Sequence, residues 1–177
     1  MKCPVCETQS FEPVTLDQHL QALMCTKCGG HWIKSFEYWR WRERNPDILP
    51  EVKGWSELKA GDTVQHKQCP ECFKTLSRYE VGHDTGFAID RCEVCRGFWF
   101  DKNEWEILRG KNLHDEIHFI FSAHWQKQVR EEGYEANRER MLIEKVGEAD
   151  FTRAREFKLW LKEHPQKTEL LGYINQV

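Results

Sequence analysis

The sequence predicts a small α+β protein in which two tandem four-cysteine ribbons precede an α-helical C-terminal region. Three observations carry that prediction. All eight cysteines of the 177-residue chain fall in four Cys-x-x-Cys pairs. The pairs belong to an internal duplication. The residues beyond 110 change to a helical apolar period with no further cysteine.

The pairs are Cys3/Cys6, Cys25/Cys28, Cys69/Cys72 and Cys92/Cys95, and the gaps within the two halves are 18 and 19 residues. A shift of 67 superposes Cys25, Cys28, Gly30, Trp32 and Glu37 on Cys92, Cys95, Gly97, Trp99 and Glu104. Two residues between cysteines allow one tight turn to aim both sulfurs at one ion, and two such turns joined by a hairpin complete a tetrahedron. In the second half, Thr75 to Val81 reads as a strand, Gly82 to Gly86 as a turn and Phe87 to Asp90 as the returning strand. Gly29, Gly30 and Gly97 stand where the chain leaves the second knuckle and are expected to supply unusual dihedrals.

This pattern assigns Cys3, Cys6, Cys25 and Cys28 to one zinc ion and Cys69, Cys72, Cys92 and Cys95 to another, two per chain. Four thiolates leave no position for water or substrate, so the ions are expected to be structural. The same donor set suits iron. Redox pairs of the thioredoxin kind need a strand–helix–strand setting that is missing here, and four disulfides would require export. Because each half holds four ligands, each ribbon is expected to keep its own ion, so that Cys92→Ser unfolds the second unit while the first stays loaded.

The stretch Cys-x-x-Cys-Arg-Gly-Phe-Trp-Phe-Asp-Lys-Asn-Glu-Trp from Cys92 to Trp105 resembles the bacterial zinc-ribbon family named after the transcription factor IIB zinc finger. Gly97, Trp99, Asp101 and Glu104 match its Gly-x-Trp-x-Asp-x-x-Glu signature. Residues 3 to 41 resemble it less, since Lys34 replaces the aspartate. The resemblance covers a little under half of the chain and implies zinc and a ribbon fold, but no reaction.

The expected organisation is ribbon 1 over 1–41, a linker over 42–67, ribbon 2 over 68–110 and a helical region over 111–177. Asp101 and Glu104 have capping-box spacing, so a helix is expected from Lys102 to Gly110. Asn45-Pro46, Pro50, Gly54 and Gly61 mark the linker, with a helical turn around Ser56 to Leu58. Leu113, Ile117, Phe121 and Trp125 recur every four residues and predict a helix from 112 to about 146, divided near Gly133. Gly147 ends it. Asp150 caps the next helix, with Phe151, Phe157, Trp160 and Leu161 on one face, and Pro165 opens the last, with Leu170, Leu171 and Ile174 inward.

Composition limits the partners. The formal charge of -3 falls to about -7 once eight thiolates and two dications are included. Sequence-independent duplex binding runs on basic surfaces, so nucleic acid is possible but not favoured. The start of the chain does not read as a signal peptide, and no apolar run approaches the ~20 residues of a membrane span. A cytoplasmic setting and no membrane are expected.

Tyr38-Trp39-Arg40-Trp41-Arg42-Glu43-Arg44 can pack its rings on the ribbon, contact a protein, or reach nucleic acid with its arginines. Trp39 and Trp41 lie about 200° apart on a helix, so one ring is expected at the surface, and Trp41 is the one assigned there. His114 and His118 share i, i+4 spacing, the geometry of a metalloprotease helix, although Asp115 stands where that motif needs glutamate. Two surface histidines are the expected reading. The apolar stripe from Leu113 to Val129 is too short for a sustained dimer seam. The sequence thus suggests a non-enzymatic, zinc-binding interaction or adaptor protein, within transcription or translation machinery. A metal-dependent hydrolase using His114/His118 and a nucleic-acid-binding protein are the alternatives.

Overall fold

The computed structural model describes residues 1–45, 58–61, 63 and 66–176. The contacts divide the chain into two units, Met1–Val129 and Arg130–Val177.

The first unit is built on β1 (Phe11–Thr15), β2 (Gln21–Cys25), β3 (His31–Ile33), β4 (Ser77–Glu80), β5 (Ala88–Arg91) and β6 (Phe98–Phe100). The two hairpins appear as expected, with Gly82 and Gly86 at positive φ in the second turn. A short third strand in each ribbon goes beyond the hairpins. These third strands, β3 and β6, pair antiparallel and fuse both ribbons into one six-stranded sheet of order β1-β2-β3-β6-β5-β4. The register is His31↔Phe100, Trp32↔Trp99 and Ile33↔Phe98. Repeat-equivalent residues therefore exchange places across a local two-fold that passes between Trp32 and Trp99.

Strand alternation gives the sheet two different faces. Ala22, Ile33, Ile89, Phe98 and Phe100 join one apolar cluster. Cys25, Trp32 and Trp99 join the other, together with Cys3, Cys69 and Cys92. The first cluster is covered by α1 (Ser35–Arg44), α2 (Glu104–Gly110) and α3 (Ile117–Ile120), through Tyr38, Trp41, Trp105, Leu108 and Ile117 among others.

Several sequence expectations change at the helices. The second ribbon's helix begins at Glu104, not Lys102, behind Asn103 in a left-handed conformation. Asp101 does not cap it: only the reciprocal half of the box forms, with the Asp101 backbone N–H donating to Glu104 Oε2 at 2.7 Å. The Asp101 carboxylate is instead engaged by Trp99, Thr63 and Lys67. Residues 112–116 form turns, so the expected long helix resolves into the short α3 and α4 (Ala123–Val146), and α4 runs through Gly133 without a break. Leu113, Ile117 and Ile120 are buried in the first unit. The helical turn expected around Ser56 lies outside the described residues. Within the segment 42–67, Gly61 N–H donates to the Lys102 carbonyl at 2.8 Å, and Lys67 is fully buried. The end of that segment is thus fixed on the second ribbon.

The second unit contains the remainder of α4, α5 (Glu148–Glu163) and α6 (Lys167–Ile174). Gly147, at φ +82°, separates α4 from α5, and Pro165 lies between α5 and α6. Helix α5 starts at Glu148, two residues before Asp150. Phe151 and Leu161 are buried, but Phe157, Trp160, Leu171 and Ile174 are exposed, contrary to the expected inward face. Among the described residues no helix is long and apolar enough to cross a membrane.

Candidate metal centre

Each cysteine knuckle is a backbone device. The loop Cys3–Thr8 is closed by the Cys3 N–H donating to the Thr8 carbonyl, and Cys69 N–H donates to the Lys74 carbonyl. At the second knuckles, Cys25 N–H donates to the Gly30 carbonyl at 2.8 Å and Cys92 N–H to the Gly97 carbonyl at 2.9 Å. Amides of Cys72 and Cys95 point at the sulfurs of Cys69 and Cys92, 3.5 Å away in each case. Such N–H···S contacts favour thiolate.

The structure brings together the two sets expected from spacing. Cys3, Cys6, Cys25 and Cys28 converge with all ligand atoms within 4.8 Å of one another, and so do Cys69, Cys72, Cys92 and Cys95. Between knuckles, Cys3–Cys28 and Cys6–Cys25 sulfurs lie 3.5 Å apart, and Cys69–Cys95 and Cys72–Cys92 sulfurs 3.4 Å. A tetrahedron with Zn–S bonds of about 2.3 Å requires sulfurs about 3.8 Å apart. A disulfide requires about 2.05 Å. The clusters lie much nearer the first distance than the second, and none of the eight cysteines forms a disulfide.

Electrostatics point the same way. Burial opposes ionisation of Cys25, but the amides of Cys28 and Lys27 and the Thr8 hydroxyl outweigh it and bring the thiol down to about 6. Cys92 falls to about 7 against the same burial, through the amides of Cys95 and Val94. Burial holds Cys3 and Cys69 far above the ordinary thiol range and takes Cys28 to about 11, with the Cys25 charge adding to the rise. The first cluster thus favours a thiolate at Cys25 and resists one at Cys3 and Cys28, and the second favours Cys92 and resists Cys69 and Cys95. A dication at the centre removes that resistance, so the donor set and its geometry suit two zinc ions, one per cluster. With four sulfurs per ion, neither site has an open position for chemistry.

The glycine expectation needs correction. Gly29 has φ +73°, but its repeat equivalent is Arg96, at φ +62°, so the left-handed position does not demand glycine. Gly30 and Gly97 have ordinary dihedrals and are small for a different reason. A Cβ on Gly30 would lie 2.2 Å from Cζ2 of Trp99, and one on Gly97 would lie 2.4 Å from Cζ2 of Trp32. Each glycine makes room for the other ribbon's indole.

The histidines are not placed as a metalloprotease helix. His114 lies in a turn, buried against Trp41 and Trp105 with ring centroids 5.8 and 5.9 Å apart. His118 belongs to α3, with its Nδ1 3.1 Å from Tyr38 Oη. His114 is not the surface histidine expected, because it fills the space between two indoles, whereas His118 is half-buried at the edge of α1. Among the described residues, the two cysteine clusters alone gather three or more candidate ligands.

Sequence reasoning missed one buried polar cluster. Lys67 Nζ pairs with Asp90 Oδ2 and, at 3.0 Å, with Asp101 Oδ2, and all three side chains are almost fully buried. Thr63 donates to Asp101 Oδ2 from both its N–H and its hydroxyl at 2.7 Å, and Trp99 Nε1–H donates to Asp101 Oδ1 at 2.7 Å. The signature aspartate therefore anchors the signature tryptophan. In the first ribbon Lys34 occupies that position, Trp32 Nε1 has no hydrogen-bond partner among the described residues, and Lys34 reaches across to Glu71 at 3.0 Å.

A fused sheet carrying two closed tetrathiolate sites defines a two-zinc ribbon protein. Residues 2–44 and 68–109 match the transcription factor zinc-finger family of zinc ribbons, so the chain carries two copies of that family's domain. No curated protein and no solved structure matches the chain.

Proposed function

We propose that this chain is a non-enzymatic adaptor: a zinc-stabilised scaffold that presents an aromatic face to a protein partner in the cytoplasm, within transcription or translation machinery. The observation that carries this reading is the outer side of α1. Trp39 and Phe36 remain 46% and 58% exposed, and Arg40 lies 5.7 Å over the Phe36 ring. Trp39 continues into His118, with centroids 5.1 Å apart, and His118 into the exposed Phe119 at 4.1 Å. A shallow groove beside this face is lined by Lys34, Phe36, Trp39, Arg40 and Arg96. Exposed Trp beside Arg is the composition of interface hot spots.

The arginines favour a protein contact over a polyanion. Arg40 is paired with Glu37, while Arg42 donates to the carbonyls of Asp115 and Asn45. The hydrolase alternative needs His114 and His118 on one helix face around a third metal, and His114 lies in a turn between Trp41 and Trp105, which gives that alternative no support. The test compares affinity captures from a native lysate by the parent and by Trp39→Ala, with zinc content and melting as controls. Loss of specific partners at unchanged zinc and melting temperature supports the adaptor reading. An identical capture profile removes this face from it.

A further inference from the structure

The two zinc sites share no ligand, yet each is completed by a ring from the opposite ribbon. Trp99 belongs to ribbon 2, and its indole lies on Gly30 and edge-on to Phe11, 6.4 Å between centroids, both in ribbon 1. The Gly30 carbonyl is the acceptor that fixes the amide of ligand Cys25, and Phe11 is the β-partner of Cys25. The converse contact places Trp32 of ribbon 1 on Gly97, whose carbonyl fixes the amide of ligand Cys92. Both indoles are fully buried, in one cluster with Cys3, Cys25, Cys69 and Cys92.

From this geometry we infer that the two sites are energetically coupled: zinc held by either ribbon tightens the other site through the crossed Trp–Gly contacts. Loss of one ion frees its knuckle, and the β3–β6 pairing and the indole seated beyond it lose their support. The opposite knuckle then loses the ring that holds its glycine in place. The two indoles are held unequally. Trp99 is tied to Asp101, itself held by Lys67 and Thr63, whereas the Trp32 indole nitrogen has no hydrogen-bond partner among the described residues. The inference rests on zinc occupying both clusters and does not depend on the adaptor role.

The experiment uses the full-length zinc-loaded chain, challenged with chelator and an alkylating reagent, and follows each cysteine by mass spectrometry alongside total zinc. Trp99→Leu leaves all eight ligands intact. It is expected to speed alkylation of Cys25 and Cys28 at least tenfold, with Trp99→Phe intermediate. Coupling is reciprocal, so Gly30→Ala, which displaces the Trp99 ring, is expected to speed alkylation of Cys92 and Cys95. Cys92→Ser is expected to bring bound zinc well below one per chain under chelator concentrations that leave the parent loaded. Loss of both ions in any of these variants agrees with coupling, since each substitution lies in one ribbon. Cys92→Ser retaining one zinc at parental affinity, with Cys25 and Cys28 as protected in Trp99→Leu as in the parent, overturns it.

Discussion

Trp32 and Trp99 stand directly opposite each other on β3 and β6, and each lays its indole over the glycine two residues before the other. The Gly-x-Trp signature thus works in trans between the repeats, the glycine of one copy receiving the tryptophan of the other. In this chain it is an interface motif as well as a knuckle exit.

That arrangement makes Gly97→Ala costly without any change in dihedral. The new methyl meets Trp32 at 2.4 Å, with the Ile33 carbonyl 3.0 Å away, so the ring or the strand must shift. Overpacking of this kind costs about 1–3 kcal/mol. Denaturant unfolding at saturating zinc is expected to show that loss. Gly86→Ala offers a contrasting control: it has open space around it but φ +72°, so its cost comes from backbone strain alone.

The two tryptophans of α1 separate cleanly. Trp41 is 2% exposed and packs on Trp105 and His114, so Trp41→Ala is expected to cost about 3–5 kcal/mol. Trp39→Ala is expected to cost under about 1 kcal/mol and to act on partner capture instead. Thermal melts of the two variants at equal zinc content distinguish them. This reverses the sequence expectation, which put Trp41 at the surface.

Lys67→Met leaves Asp90 and Asp101 buried without their cation. Breaking one partner out of a buried ion cluster costs about 3–5 kcal/mol. The loss is expected in equilibrium unfolding, with partial recovery in Lys67→Met/Asp90→Asn, which removes one of the stranded charges. Equal stability of Lys67→Met and the parent would show that the cluster does not hold the second ribbon together.

Acid sensitivity follows from His114. Burial lowers its pKa, against the raising effect of Asp115 and Asp17, so the folded chain keeps it neutral below the ordinary value of about 6.5. Below that pH the unfolded chain takes up a proton that the folded chain refuses. The contribution of His114 to stability is therefore present above about 6.5 and lost as pH falls. His114→Phe, which keeps a ring between Trp41 and Trp105, is expected to flatten the fall in melting temperature between pH 7.5 and 5.5. Thiolate protonation acts in both proteins, and the difference between their slopes isolates the histidine.

Duplex DNA is expected not to bind more tightly than about 10 µM at physiological salt, given the acidic net charge with zinc bound. A gel shift at nanomolar protein with a steep salt dependence would contradict this.

The local parts of this protein were determined by sequence. Cys-x-x-Cys spacing depends on one turn of backbone, so the eight ligands and their division into two sets were legible from Cys3 to Cys95. The hairpins and Gly147 as a helix stop followed from turn chemistry within a few residues. What lay between distant segments was not legible. Strands of three residues, His31–Ile33 and Phe98–Phe100, carry too short an alternation to announce themselves, and nothing local states that they pair with each other across 65 residues. That pairing decided that Gly30 and Gly97 serve the opposite indoles and that the ribbons form one sheet. Packing of α1 and α2 on that sheet decided which face of α1 is buried, and so exchanged the roles of Trp39 and Trp41. It also placed His114 between two rings instead of on a helix surface. Periodicity tells which residues of a helix share a face, but only the tertiary partner selects the face that leaves water.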